Sequence, residues 1–343
     1  MIFIGYNNMR FLSTLFVFCL SFSLFSQVEK DYRIYHTYIN KAEKFYFIDN
    51  NTDSTFYYYD KAFSAYDFIF LKDLVNASQL AYYSKLPYKK YIEKGFEFGL
   101  KLSHLKSIEI FKPIISNLES DKGLSKLYVE KRKIYLSKLN AEKIDWVYKI
   151  GIQDQKDKYL SNKNYKIKQS KSVVEIQKFI SKYGYPGEKI IGIADSTVFR
   201  EIKSSKIDFH NRIKHDSLLR KYFVLDEECL SEELIITTLI HNFDSYKKLK
   251  YIWLEQIKKG NIHPRDVALI HDNTYRVNFS DKNDLNGYYK NNIFCPYPSN
   301  LDIKRINKIR RELFICSYDL DKIKEKKEKE IGFKLFWGFW NCR

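Results

Sequence analysis

Helix breakers are scarce in this chain, and that scarcity limits its fold more than any other feature. From Asp31 to Asn140 only Pro87 and Pro113 interrupt a stretch in which apolar residues recur at helical spacing. Tyr59, Ala62, Phe63 and Tyr66 make one such face, Leu74, Ala77 and Ala81 a second, and Ile92, Phe96 and Leu100 a third. The whole 343-residue chain holds only 12 Gly and 6 Pro beside 28 Tyr and 26 Phe, so long helices are favoured over a many-stranded sandwich. The expected fold class is mainly α with at most minor β content. With 45% hydrophobic and 29% charged residues the chain is globular, and its length suffices for two ordinary domains.

Tyr59-Asp60-Lys61-Ala62-Phe63 aligns with Ile92-Glu93-Lys94-Gly95-Phe96 at an offset of 33 residues. This resembles a tetratricopeptide-like repeat, with Ala62 and Gly95 at the small position where two helices of a hairpin approach. The resemblance implies a concave surface that binds a protein or peptide partner. A plain helical bundle sharing that period is the competing reading. Asp53 and Ser54 before Tyr57, and Ser120-Asp121 before Leu124, have the chemistry of helix N-caps.

Residues 11–25, FLSTLFVFCLSFSLF, follow Arg10 and are uncharged, too short to span a bilayer comfortably but right for a signal-peptide core. Residues 1–26 are therefore expected to be a signal peptide with Ser23 and Ser26 near the cleavage point, and Met9 is a plausible initiator. The product would be exported to a periplasmic or extracellular space. Residues 27–140 would then form the repeat-like domain and 141–343 a helical C-terminal domain. Cys229, Cys295, Cys316 and Cys342 remain after cleavage; no Cys-x-x-Cys spacing marks a zinc ribbon, and one or two disulfides or buried thiols all fit.

The formal charge is +17, or +16 without residues 1–26, whose single charged side chain is Arg10. Charge of that size attracts polyanions. The lysines are nevertheless scattered among 42 acidic residues rather than massed, and Lys, Asn, Ile, Tyr and Phe are all written in AT-rich codons, so a nucleic-acid partner is not expected. A membrane contact is expected only through the cleaved signal, or weakly at the tail, where Phe333, Phe336, Trp337, Phe339 and Trp340 follow a Lys/Glu ladder.

Beyond a polar loop expected at Ser161–Lys171, a helix over Ser172–Tyr183 runs into the breakers Gly184-Tyr185-Pro186-Gly187. A helix over Glu232–Phe243 follows, then one over Tyr246–Lys259 capped by Ser245 and stopped by Gly260, then another with Pro264 in its first turn. The segment from Leu234 to Asp272 holds three of the seven histidines. On a helix His241 and Asp244 share a face, which suits a base with its orienting acid; with Asp272 they are the catalytic candidates for metal-assisted or acid–base hydrolysis. His241, His271 and Asp272 are the candidate ligands for a divalent metal, with His263 and Asp266 able to contribute if the helices converge. Asp266 also reads as a helix-start residue and His241 as a satisfied core histidine. Arg310, Arg311 and Tyr185 are the candidate binding residues, the arginines suiting a carboxylate or phosphate, against a solvated helix face. No His-Glu-x-x-His, Gly-x-Ser-x-Gly or phosphate-binding glycine loop is present.

Gly184-Tyr185-Pro186-Gly187, His241-Asn242-Phe243-Asp244, Asp266-Val267-Ala268-Leu269-Ile270-His271-Asp272-Asn273 and Arg310-Arg311-Glu312-Leu313, in that order, resemble an exported domain family of unknown function, the 6624-type domain, often preceded by tetratricopeptide-like helices. The resemblance covers Val173 to Ile315 and implies export, with no known reaction. The chain departs from the family pattern at Asn273, where Arg is usual, at Tyr288-Tyr289, which replaces Tyr-Gly, and in lacking the following Gln. From sequence, then, the chain is expected to be an exported protein-binding scaffold or, alternatively, a hydrolase centred on His241.

Overall fold

The structure is a computed structural model that describes residues 30–157, 162–193, 198–202, 231–242, 244–276, 302–332 and 334. The signal-peptide reading, Cys229, Cys295, Cys342, Tyr288-Tyr289 and the aromatic residues of the tail lie outside them. The described residues are helical and contain no strand, so the fold is mainly α. None of these helices is long and apolar enough to cross a membrane.

The front half opens with α1 (Tyr32–Phe47) and α2 (Thr52–Ala65), followed by α3 (Leu71–Tyr83) and α4 (Lys89–Phe96). All three apolar faces read from the sequence are inside except for the half-buried Tyr66. Ala62 is fully buried, and a methyl on Gly95 would stand 2.8 Å from Leu100 and 3.5 Å from Leu71, so Gly95 leaves room for these two leucines. Asp60 of α2 accepts from Lys90 Nζ (2.7 Å) and Tyr91 Oη (2.9 Å), tying the first hairpin to the helix one period later. The cap of α2 is Asn51, whose Oδ1 accepts the Ser54 N–H at 2.9 Å; Asp53 and Ser54 instead belong to its first turn. Asp121 caps α7 (Lys122–Lys138) as expected, through the Leu124 N–H at 3.0 Å.

Between these lie α5 (Leu102–Ser107), a 3-10 turn at Glu109–Ile114 and α6 (Ile115–Ser120). The back half begins at α8 (Ala141–Asp157). Next, α9 runs unbroken over Asn162–Tyr183, so the expected loop at Ser161–Lys171 is mostly helix. Lys and Gln are good helix formers, and polarity without Gly or Pro does not break a helix. After α10 (Glu188–Ile191) and α11 (Val198–Glu201) come α12 (Ser231–His241), α13 (Ser245–Lys248), α14 (Lys250–Lys258) and α15 (Pro264–Arg276). The single helix expected from Tyr246 is thus broken at Leu249, whose side chain is buried. Ser245 is no cap, since its hydroxyl donates to the Leu239 carbonyl at 2.6 Å. Gly260 ends the run at φ +68°.

α12 lies against α8 and α15 in one apolar core, where Leu234 sits where a methyl on Gly151 would go (2.9 Å). Finally α16 (Ile303–Glu312) and α17 (Tyr318–Ile331) form a hairpin, and α17 packs on α1. The described residues from Tyr32 onward belong to one compact unit.

Candidate functional site

The N-terminus of α15 is where distant parts of the chain converge. Its segment His263-Pro264-Arg265-Asp266 meets α1, the first turn of α3, Glu188 of α10 and the α16–α17 hairpin. Asp266 is paired with Lys72 of α3 at 3.0 and 3.2 Å. Arg265 donates to both oxygens of Asp321 (3.3 and 3.1 Å) and to Cys316 Sγ (3.3 Å). Arg310, fully buried, donates from Nε to the Cys316 carbonyl at 2.7 Å and from Nη2 to Asp321. Lys324 of α17 reaches Asp321 (3.2 Å) and Glu43 of α1 (2.7 Å).

Asp321 therefore faces three cations. Burial alone would raise its pKa, but Arg265, Lys324 and Arg310 hold the carboxyl well below the usual range. Cys316 is a free thiol pushed up by burial and by Asp321. This network occupies Arg310, one of the expected binding residues, with internal partners. Its neighbour Arg311 is exposed, and Tyr185 is buried, its N–H donating to Gln256 Oε1 at 2.8 Å.

On the other side of α15 the polar groups are less well matched. Glu188 Oε2 accepts the Leu71 N–H at 2.8 Å, capping α3 from a remote helix. Burial lifts its carboxyl to about 7, against the opposing pull of Lys72. Asp73 is also raised by burial, while its Oδ2 accepts the Tyr35 hydroxyl at 2.8 Å. His36 and His263 flank it, both held well below the usual imidazole value, chiefly by burial, with Lys72 and Arg265 pushing in the same direction.

Of the histidines expected to be chemical, His263 belongs to this group, whereas His241 and His271 lie elsewhere. His241, at the end of α12, binds Asp154 of α8 through Nδ1 (2.6 Å) rather than Asp244. Asp154 is buried, whereas the His241 side chain is 24% exposed, so the ring is partly reachable from solvent. Gln169 of α9 donates to the His241 carbonyl at 2.5 Å, fixing the helix end. Asp244 is exposed before α13. His271 and Asp272 are buried and bonded to one another (3.0 Å), with Tyr246 edge-on to the imidazole at 4.8 Å. Among the described residues, the group able to hold a metal is His36, Asp73 and His263, not His241, His271 and Asp272.

Sequence reading missed His36, Glu43, Asp73, Asp154 and Glu188. A signal did exist for two of them: Tyr32, Tyr35, Ile39 and Ala42 mark the buried stripe of α1, and His36 and Glu43 stand on it. Asp154 offered none, because its partner is 87 residues away.

A surface cleft of about 510 Å³ opens where the ends of α1 and α3 meet α17. Tyr46, Phe47 and Tyr83 line it with Lys326, Lys327 and Glu330. Compared with family models, curated proteins and solved structures, the chain matches none.

Proposed function

We propose that the chain is an exported binding scaffold, its repeat-like hairpins and closing helix taking an acidic, aromatic-containing segment of a protein or peptide partner. The observation that carries this reading is the cleft between α1, α3 and α17, with aromatic walls at Tyr46, Phe47 and Tyr83. Its rim carries two lysines against one glutamate, and the formal charge of +16 left without residues 1–26 draws acidic partners toward it over longer distances. Export rests on the pattern of residues 1–26. Peptides selected from a displayed library on the full chain should be acidic and aromatic. Their binding should be lost in Tyr83→Ala and weakened by Lys327→Glu; no enrichment, or binding indifferent to both changes, refutes the reading.

A second reading, acid–base catalysis, is favoured by one observation: the 2.6 Å bond by which buried Asp154 orients the partly open His241. In a hydrolase screen, any activity should fall about 10²- to 10⁴-fold in His241→Ala. Activity unaffected by that change would remove His241 from the chemistry.

A further inference from the structure

Neither the cleft nor the His241–Asp154 pair uses the buried spot between α1, α3 and α15. There a ring nitrogen of His36, a ring nitrogen of His263 and a carboxylate oxygen of Asp73 lie within 4.8 Å of one another. The three residues are 2%, 5% and 4% exposed, so the group is closed off from the surface. His36 Nε2 and His263 Nε2 have no hydrogen-bond partner. A buried polar atom in that condition destabilises the fold, and here two of them belong to rings that flank the same carboxylate. His263 Nε2 stands 3.6 Å from Asp73 Oδ1, and the His36 ring meets the His263 ring edge-on at 5.0 Å.

We propose that His36, Asp73 and His263 form a site for a divalent transition-metal cation of the zinc or cobalt kind, joining the first helix to α3 and α15. Two imidazoles and one carboxylate suit such a borderline cation, whereas calcium and magnesium take oxygen sets. A histidine ligand must be neutral, and burial keeps both rings neutral. The outer oxygen of Asp73 is held by the Tyr35 hydroxyl, the kind of supporting bond that orients a ligating carboxylate. Lys72 and Arg265 stand nearby, yet each is paired with its own acid, Asp266 and Asp321.

A tetrahedral cation about 2.0–2.1 Å from each donor draws the donors to roughly 3.4 Å apart. The Asp73 to His263 distance is already close to that, so the His36 ring makes most of the adjustment. Binding also moves a proton. His263 Nδ1 accepts the Arg265 N–H at 3.2 Å, so the neutral ring carries its proton on Nε2. A cation at Nε2 transfers that proton to Nδ1 and ends the contact with the Arg265 amide.

The test is titration of the full chain with Co²⁺ and with Zn²⁺, read by the cobalt ligand-field spectrum and by ¹⁵N spectra of the histidines. One equivalent should bind, and His263 should change from the Nε2–H to the Nδ1–H tautomer. His263→Gln and Asp73→Asn should abolish binding, and Tyr35→Phe should weaken it about 10- to 100-fold. His241→Ala and His271→Ala should bind as the parent chain does. No uptake of either metal overturns the proposal, as does binding that survives His263→Gln and Asp73→Asn or vanishes in His241→Ala. Should those two variants fail to fold, Tyr35→Phe decides, and unchanged affinity there overturns it.

Discussion

At the scale of single residues, the interior is governed by how each buried charge is matched. Asp321 balances Arg265, Arg310 and Lys324, with Glu43 sharing the load. Asp321→Asn should therefore cost about 3–5 kcal/mol in urea unfolding at neutral pH, because three cations stay buried with one carboxylate. Arg311→Ala, at an exposed position beside Arg310, should stay within about 0.5 kcal/mol. Titration works in two directions here. His36 and His263 have folded pKa values well below 6.5, so the unfolded chain binds more protons below that pH, and stability falls on acidification. Each can contribute up to about 1.4 kcal/mol per pH unit. Glu188 acts oppositely: raised from 4.5 to about 7, it gives the folded state the extra proton between those values, so its contribution grows as pH falls. Urea midpoints followed from pH 7.5 to 5 should accordingly drop less in His263→Gln than in the parent chain, and more in Glu188→Gln. Identical slopes in all three would show that these groups titrate normally.

At the scale of elements, the turn Gly184-Tyr185-Pro186-Gly187 is the most exacting joint. Gly184 sits at φ +90°, and a methyl on Gly187 would run into the Asn261 carbonyl, a backbone atom that cannot swing aside. Gly187→Ala should lower stability by about 1–3 kcal/mol in a thermal melt, while the short helix at Glu188 shifts with it. Those glycines were legible as breakers, as were Gly260, the Pro264 start and the three apolar faces of the front half, because each acts over one or two turns of chain. The stretch Asn162–Lys171, expected as loop, is helix because polar residues without Gly or Pro do not break one. The helix expected from Tyr246 is interrupted at the buried Leu249, a residue with no breaker chemistry to mark the place in the sequence. The candidate site was legible in the same uneven way. His241 stood out, but its acid is Asp154 on another helix, while Asp244, three residues on, is exposed. The grouping of His36, Asp73 and His263 exists only after α1, α3 and α15 have met.

At the scale of the whole molecule, the two halves complete each other. The amide of Leu71 is capped by Glu188, Lys72 is neutralised by Asp266, and Glu43 by Lys324, so a front fragment keeps its charges and loses their partners. Residues 30–140 expressed alone should show no cooperative melt by circular dichroism, whereas the full chain should unfold in one transition. A cooperative melt of the fragment would show that the front helices are self-sufficient. One pairing also sets a clock. Glu43 and Lys324 are 281 residues apart, an interval that takes about 15–60 s to synthesise at 5–20 residues per second. Until then Glu43, on the inner face of α1, lacks its lysine; its other cationic neighbour, Arg265 at 3.8 Å, is made earlier. The contact that ties α1 to α17 therefore closes long after the hairpins of the front half have been made.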